Sequence, residues 1–147
     1  MTVTQTTTEA QILEWTEQLC EALAENYKRY HLRSMKAMHQ ERATEYTSNE
    51  IKAVEDGTAK LMRFIVKPGK KYLKIIQQDF DTYNDINEYR EGSVHAFVDK
   101  QTGQIYKPAS WRAPAKHVRY DLRDQKSREF ALNPDNCTWA GGWLYMR

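Results

Sequence analysis

The chain carries only two cysteines, Cys20 and Cys137, in 147 residues. That excludes the disulfide framework that holds small secreted domains together, and a reducing compartment would keep both as thiols. No apolar run approaches the ~20 residues that a membrane span requires. The opening stretch, MTVTQTTTEAQ, lacks the basic start and apolar centre of a secretory signal. A cytoplasmic protein with no membrane partner is the expectation. Chemistry-bearing motifs are also missing. The histidines are His31, His39, His95 and His117. They form no His-x-x-x-His pair and lie near no cysteine pair, so no zinc motif is present. There is no glycine-rich phosphate loop, no dinucleotide fingerprint and no G-x-S-x-G turn. Asp79, Asp81 and Asp85 read as a solvated acidic surface rather than a metal site. The expectation is a non-enzymatic protein without metal or cofactor. Its only weak catalytic candidates are His95 or His117 beside Asp99 or Asp121.

What is present suits one ordinary globular domain spanning residues 1–147. At this length roughly 70% of the unfolded surface can be buried, so a core forms without staples. The hydrophobic fraction of 40% and charged fraction of 29% are those of a folded chain. Only residues 31–50 and the first seven are polar enough to be loose. The net charge of +2 hides strong segregation. Residues 58–78 hold six basic and no acidic side chains, and residues 100–128 hold eight basic and two acidic. Between them, residues 79–99 hold six acidic and one basic. Two arrangements account for this. Either opposite blocks pair across neighbouring strands, or the basic blocks share a face that attracts a polyanion or an acidic partner.

The pattern along the chain predicts an α+β fold. After a tail at residues 1–8, Thr8-Glu-Ala-Gln11 has the form of a capping box. Ile12, Trp15, Leu19, Leu23, Tyr27 and Tyr30 then recur at steps of three or four, which makes residues 9–30 an amphipathic helix. Residues 31–50 are ambiguous, with Glu45-Tyr46-Thr47 a candidate strand start and Asp56-Gly57 a turn. The sheet-rich part covers residues 58–147. Residues 61–66 and 72–77 form one hairpin through Lys67-Pro68-Gly69-Lys70, read as a type II turn. Residues 79–91 form a short helix or structured loop. Residues 94–99 and 104–107 form a second hairpin, with Gly103 as its left-handed bulge residue. Pro108 ends that pairing. A short helix from Pro114 and a final strand in residues 139–147 complete the reading. The outcome is an antiparallel sheet of two hairpins, four to five strands in all, packed against one long N-terminal helix.

Residues 94–123 have the most individual character. Aromatics (Phe97, Tyr106, Trp111, Tyr120) interleave with cations (Lys107, Arg112, Lys116, Arg119, Arg123). Phosphates attract Lys and Arg, and bases stack on exposed rings. A nucleic-acid site would draw on Lys70, Lys71, Lys74, Lys107, Arg112, Lys116 and Arg119, with Trp111 as the stacking ring. The competing reading places Trp111 and Phe97 in the core, with cations lying over them.

The run A-F-V-D-x-x-T-G-x-I-Y-K-P-A-S-W-R-A-P-A-K-x-x-R, at residues 96–119, resembles a family of small uncharacterised proteins of tailed bacteriophages, including phages of marine cyanobacteria. The aromatic end, Gly142-Trp-Leu-Tyr-Met-Arg147, is also similar. About a fifth of the chain is involved. The resemblance implies a phage origin, a place in the host cytoplasm during infection or in the virion, and no particular activity. The leading expectation is a non-enzymatic phage binding protein, either a virion component or an accessory factor that binds a protein partner, with self-association as a further expectation. The alternative is a nucleic-acid-binding accessory protein using residues 58–78 and 100–128.

Overall fold

The computed structural model describes residues 7–145. Thr8 caps helix α1 (Glu9–Glu41), its hydroxyl accepting the Gln11 N–H at 3.1 Å. Residues 1–6 of the expected loose tail, and Met146 and Arg147 of the expected last strand, lie outside the described residues.

Helix α1 runs eleven residues past its expected end at residue 30. Nothing between His31 and Glu41 breaks it, and Met35 continues the buried face. The candidate strand at Glu45 is instead the first turn of α2 (Glu45–Asp56). Thr44 and Thr47 there satisfy each other's amides reciprocally, and this local chemistry outweighs the β-propensity of Tyr46 and Thr47. Gly57, at φ 77°, closes α2 in the left-handed conformation. Helix α2 packs back on α1, burying Val54 and Thr47.

The sheet is a five-stranded antiparallel meander in the order β1-β2-β3-β4-β5. Its strands are β1 (Arg63–Pro68), β2 (Tyr72–Asp81), β3 (Glu88–Asp99), β4 (Gln104–Tyr106) and β5 (Tyr120–Asp121). Both expected hairpins are present, and three further features differ from expectation. The first turn is not centred on Pro68-Gly69. Gly69 lacks a positive φ, and Pro68 still pairs with Leu73, so Lys70 and Lys71 form the tip. The acidic stretch 79–91 mostly lengthens β2 and β3, around a short 3-10 turn at Tyr83–Asp85. Left-handed Asn84, Asp85 and Asn87 make this third hairpin, because Asn and Asp tolerate that conformation. Finally, the short helix lies at α3 (Gln125–Ala131), capped by Asp124, rather than at Pro114. Gly103 does take the left-handed turn conformation, at φ 74°.

Alternation along β2 sends Leu73 and Ile75 to the helix side and Lys74 and Ile76 to the other. The helix side joins Ile12, Leu19 and Leu23 of α1 to Phe64, Ala96, Val98, Ile105 and Leu122 in one core. Cys20 and Cys137 are free thiols buried in it. The last described segment does not form a strand. It lies against α1, where Asn26 donates to the Pro134 carbonyl at 2.7 Å and accepts the Trp139 N–H at 3.0 Å. It ends in a 3-10 turn at Gly142–Leu144.

Candidate functional site

The sheet face away from α1 carries the cationic feature. Lys74 stands opposite Lys67 on β1 and opposite Phe97 on β3. Its Nζ lies 5.8 Å from the Phe97 ring centre and 5.1 Å from that of Trp111. Phe97 is a core residue at 1% exposure, but Trp111, expected to share that role, stays 43% exposed. The reason is local. Pro108 ends β4, and a Pro108–Pro114 bridge closes a loop that holds Trp111 over the sheet rather than in it. Lys71 lies over Tyr72, with Nζ 5.4 Å from the ring centre. Among the described residues no carboxylate pairs with Lys70, Lys71 or Lys74, whereas Lys67 reaches Glu91 at 3.5 Å.

The two basic blocks therefore converge only in part. Lys74 and Trp111 share the face away from α1, and Lys70 and Lys71 form the hairpin tip at the same end of the sheet. Arg112 and Lys116 are exposed on the Trp111 loop. Lys107 points away, its Nζ 4.6 Å from the Tyr145 ring centre. Arg119 is structural. Its Nε donates to the Leu144 carbonyl at 2.6 Å, and one terminal nitrogen donates to the carbonyls of Lys116 and His117 at 2.8 and 2.7 Å. These three bonds join the loop to the C-terminal segment.

A second feature lies around the end of β4. Ile75 pairs with Ala96 and Ile76 with Val94, so His95 is the extra residue of a bulge. Its ring sits 5.2 Å from Phe64 and is stacked at 6.0 Å on Trp143. The Trp143 indole N–H donates to His95 Nε2 at 3.0 Å. Burial lowers the His95 pKa to about 4, so the ring is neutral at pH 7. Trp143 in turn stacks on Tyr120, and Tyr120 on Phe130. His95 borders a cavity of about 360 Å³, with Gln77, Lys107, Trp139 and Tyr145 in its wall. Among the described residues no carboxylate lines it. Asp99 instead accepts two turn amides, of Gln101 and Thr102, and Asp121 accepts the Arg123 N–H. Asp81 pairs with Arg90 and Asp79 with Gln77. The sequence singled out His95 but not Gln77, Trp139 or Tyr145. The aromatic stretch from Trp139 to Tyr145 was the signal that bore on the last two, and none bore on Gln77.

These features define an α+β protein: a five-stranded antiparallel meander covered on one face by a long helix, with a cation–aromatic surface on the other. No helix among the described residues is long and apolar enough to cross a membrane. The chain belongs to the family of unknown function DUF7717, whose family model matches residues 1–146. No curated protein and no solved structure matches it.

Proposed function

We propose that the chain is a non-enzymatic binding protein that holds single-stranded nucleic acid on the sheet face opposite α1. One observation carries the reading. Lys74, free of any carboxylate, sits between the buried Phe97 ring and the half-exposed Trp111 ring. A phosphate-seeking cation beside a stacking surface is the pairing that single strands use. Lys67 directly opposite already has Glu91 beside it, which leaves Lys74 as the cation of this pair without a carboxylate. The run at residues 96–119 supports a phage source and action in the host cytoplasm during infection.

The test is fluorescence anisotropy of labelled single- and double-stranded oligonucleotides at increasing salt. Three phosphate contacts, at Lys70, Lys71 and Lys74, correspond to a log–log salt slope of about −2 on a single strand. Lys74→Ala and Trp111→Ala are expected to weaken binding while leaving the fold intact. Absence of a salt-dependent signal would falsify the reading. A second reading, a protein partner or self-association within the virion, is favoured by Phe130. This ring is 45% exposed at the edge of an aromatic-walled cavity with Tyr120 and Trp143. Sedimentation of the chain, and mass spectrometry of purified particles, would test it.

A further inference from the structure

We infer that the cavity beside His95 is a base-binding subsite, taking one unstacked nucleobase of the strand held at Lys74 and Trp111. The inference rests on the nucleic-acid reading above and adds to it a second, specific point of contact.

The argument begins with a proton. An indole N–H can only donate, so His95 Nε2 must be a lone pair where Trp143 meets it at 3.0 Å. A neutral ring then carries its hydrogen on Nδ1. His95 is 93% buried, at 7% exposure, and no hydrogen-bond partner of Nδ1 occurs among the described residues. Yet no sealed side-chain nitrogen or oxygen among them lacks a partner. Nδ1 therefore reaches solvent-accessible space, and the cavity is the space that His95 borders. A fixed N–H donor is thus open to the cavity with no protein acceptor among the described residues, and an acceptor on an entering group can meet it there.

The remaining wall suits a flat, polar-edged ring. The Gln77 amide nitrogen already donates to Asp79 at 3.2 Å, which leaves its carbonyl oxygen as an acceptor. A donor at His95 and an acceptor at Gln77 match the acceptor-beside-donor edge that each base presents. Trp139 and Tyr145 supply aromatic walls, Tyr145 being 63% exposed and able to close on a guest. The Lys107 ammonium over Tyr145 supplies a phosphate contact at the rim. The volume, about 360 Å³, lies within the ~300–1,000 Å³ range of ligand pockets.

Position links the two sites. A smaller cleft under Trp111 shares Ser93, Val94 and Pro108 with this cavity. The shared segment is where β3 runs past the end of β4, which pairs only Tyr106 and Ile105 with Phe97 and Val98. A strand crossing there passes from Trp111 round the sheet edge to His95 without leaving the protein surface.

The experiment uses the full chain labelled with ¹⁵N-histidine. It is titrated with a twelve-residue oligothymidylate and with an abasic deoxyribose-phosphate chain of the same length. The expected result is a shift of the His95 Nδ1–H resonance with the oligothymidylate and none with the abasic chain. Tyr145→Ala, at an exposed position that should not disturb folding, is expected to lower oligothymidylate affinity at least five-fold, even in a Trp111→Ala background. If the oligothymidylate binds with salt dependence while His95 stays unmoved and Tyr145→Ala is neutral, the subsite is wrong and the broader reading stands. If the oligothymidylate does not bind at any salt concentration, both are wrong.

Discussion

At the residue scale, His95 links the fold to the candidate site. Its ring is held neutral by burial and by the Trp143 N–H, which occupies the nitrogen that a second proton would need. The folded pKa, about 4, lies below the unfolded value of 6.5. Between those values the unfolded chain binds a proton that the folded chain refuses. The stabilising contribution is therefore complete above pH 6.5 and is lost as pH falls toward 4. The shift corresponds to roughly 3 kcal/mol. Urea unfolding of wild type and His95→Gln from pH 7 to pH 4 should show wild type losing about that much more. Parallel pH profiles would show that the fold does not hold the ring neutral. The cysteines make a second prediction at this scale. Burial pushes both thiols up to about 12, so thiolate is scarce at neutral pH. A chromogenic disulfide reagent should label neither in the native protein and both in denaturant. Rapid native labelling of Cys137 would mean that the C-terminal segment opens.

At the scale of elements, the helical hairpin of α1 and α2 shows how local chemistry decides an ambiguous stretch. Residues 31–50 have no clean apolar stripe, and Tyr46 and Thr47 favour a strand by type. Two caps settle the matter: the Thr44–Thr47 pair at the start and Gly57 at the end. A Cβ placed on Gly57 would meet nothing within 4 Å, so any cost of Gly57→Ala is conformational rather than steric. That cost is expected to be about 1 kcal/mol, since φ 77° is a left-handed conformation that Ala disfavours. Equilibrium unfolding of the variant measures it. A change near zero would mean that α2 frays at Gly57 without consequence. The first hairpin teaches the converse. Pro-Gly is a strong turn signal, yet the strands register through Pro68, and the tip falls two residues later on Lys70-Lys71. Pairing of Phe64, Val66, Leu73 and Ile75 toward the helix outweighs the turn preference of a dipeptide.

At the scale of the whole molecule, cations that look alike in the sequence divide into two kinds. Lys74 faces outward between rings. Arg119 reaches inward to three carbonyls and joins the Trp111 loop to the C-terminal turn. Arg119→Ala is expected to cost about 1–3 kcal/mol of stability through unsatisfied carbonyls. Lys74→Ala is expected to leave stability nearly unchanged and to reduce nucleic-acid affinity. Paired denaturation and anisotropy measurements on both variants check this division. If the two variants behave alike in both assays, the assignment of roles fails.

The fold class was legible in the sequence because periodicity reports which face of an element is buried. The stripe from Ile12 to Leu23, the β-rich runs at residues 61–66 and 72–77, and Gly103 in its turn each express a local rule. They were enough to place a long helix against an antiparallel sheet. The continuation of α1 to Glu41, the third hairpin in an acidic stretch and the site of α3 were not legible, because each depends on caps and left-handed residues of modest signal. The candidate site was less legible still. Trp111 and Phe97 lie fourteen residues apart with similar surroundings in sequence, and only the closing of the Pro108–Pro114 loop leaves one exposed and the other buried. Likewise, Gln77 of β2, His95 of β3, and Trp139 and Tyr145 of the C-terminal segment meet only where β3 outruns β4. Composition and local pattern decide which elements form and which sides they bury. Which side chains share a surface is decided by long-range packing, because contacts between residues far apart in the chain leave no periodic trace along it.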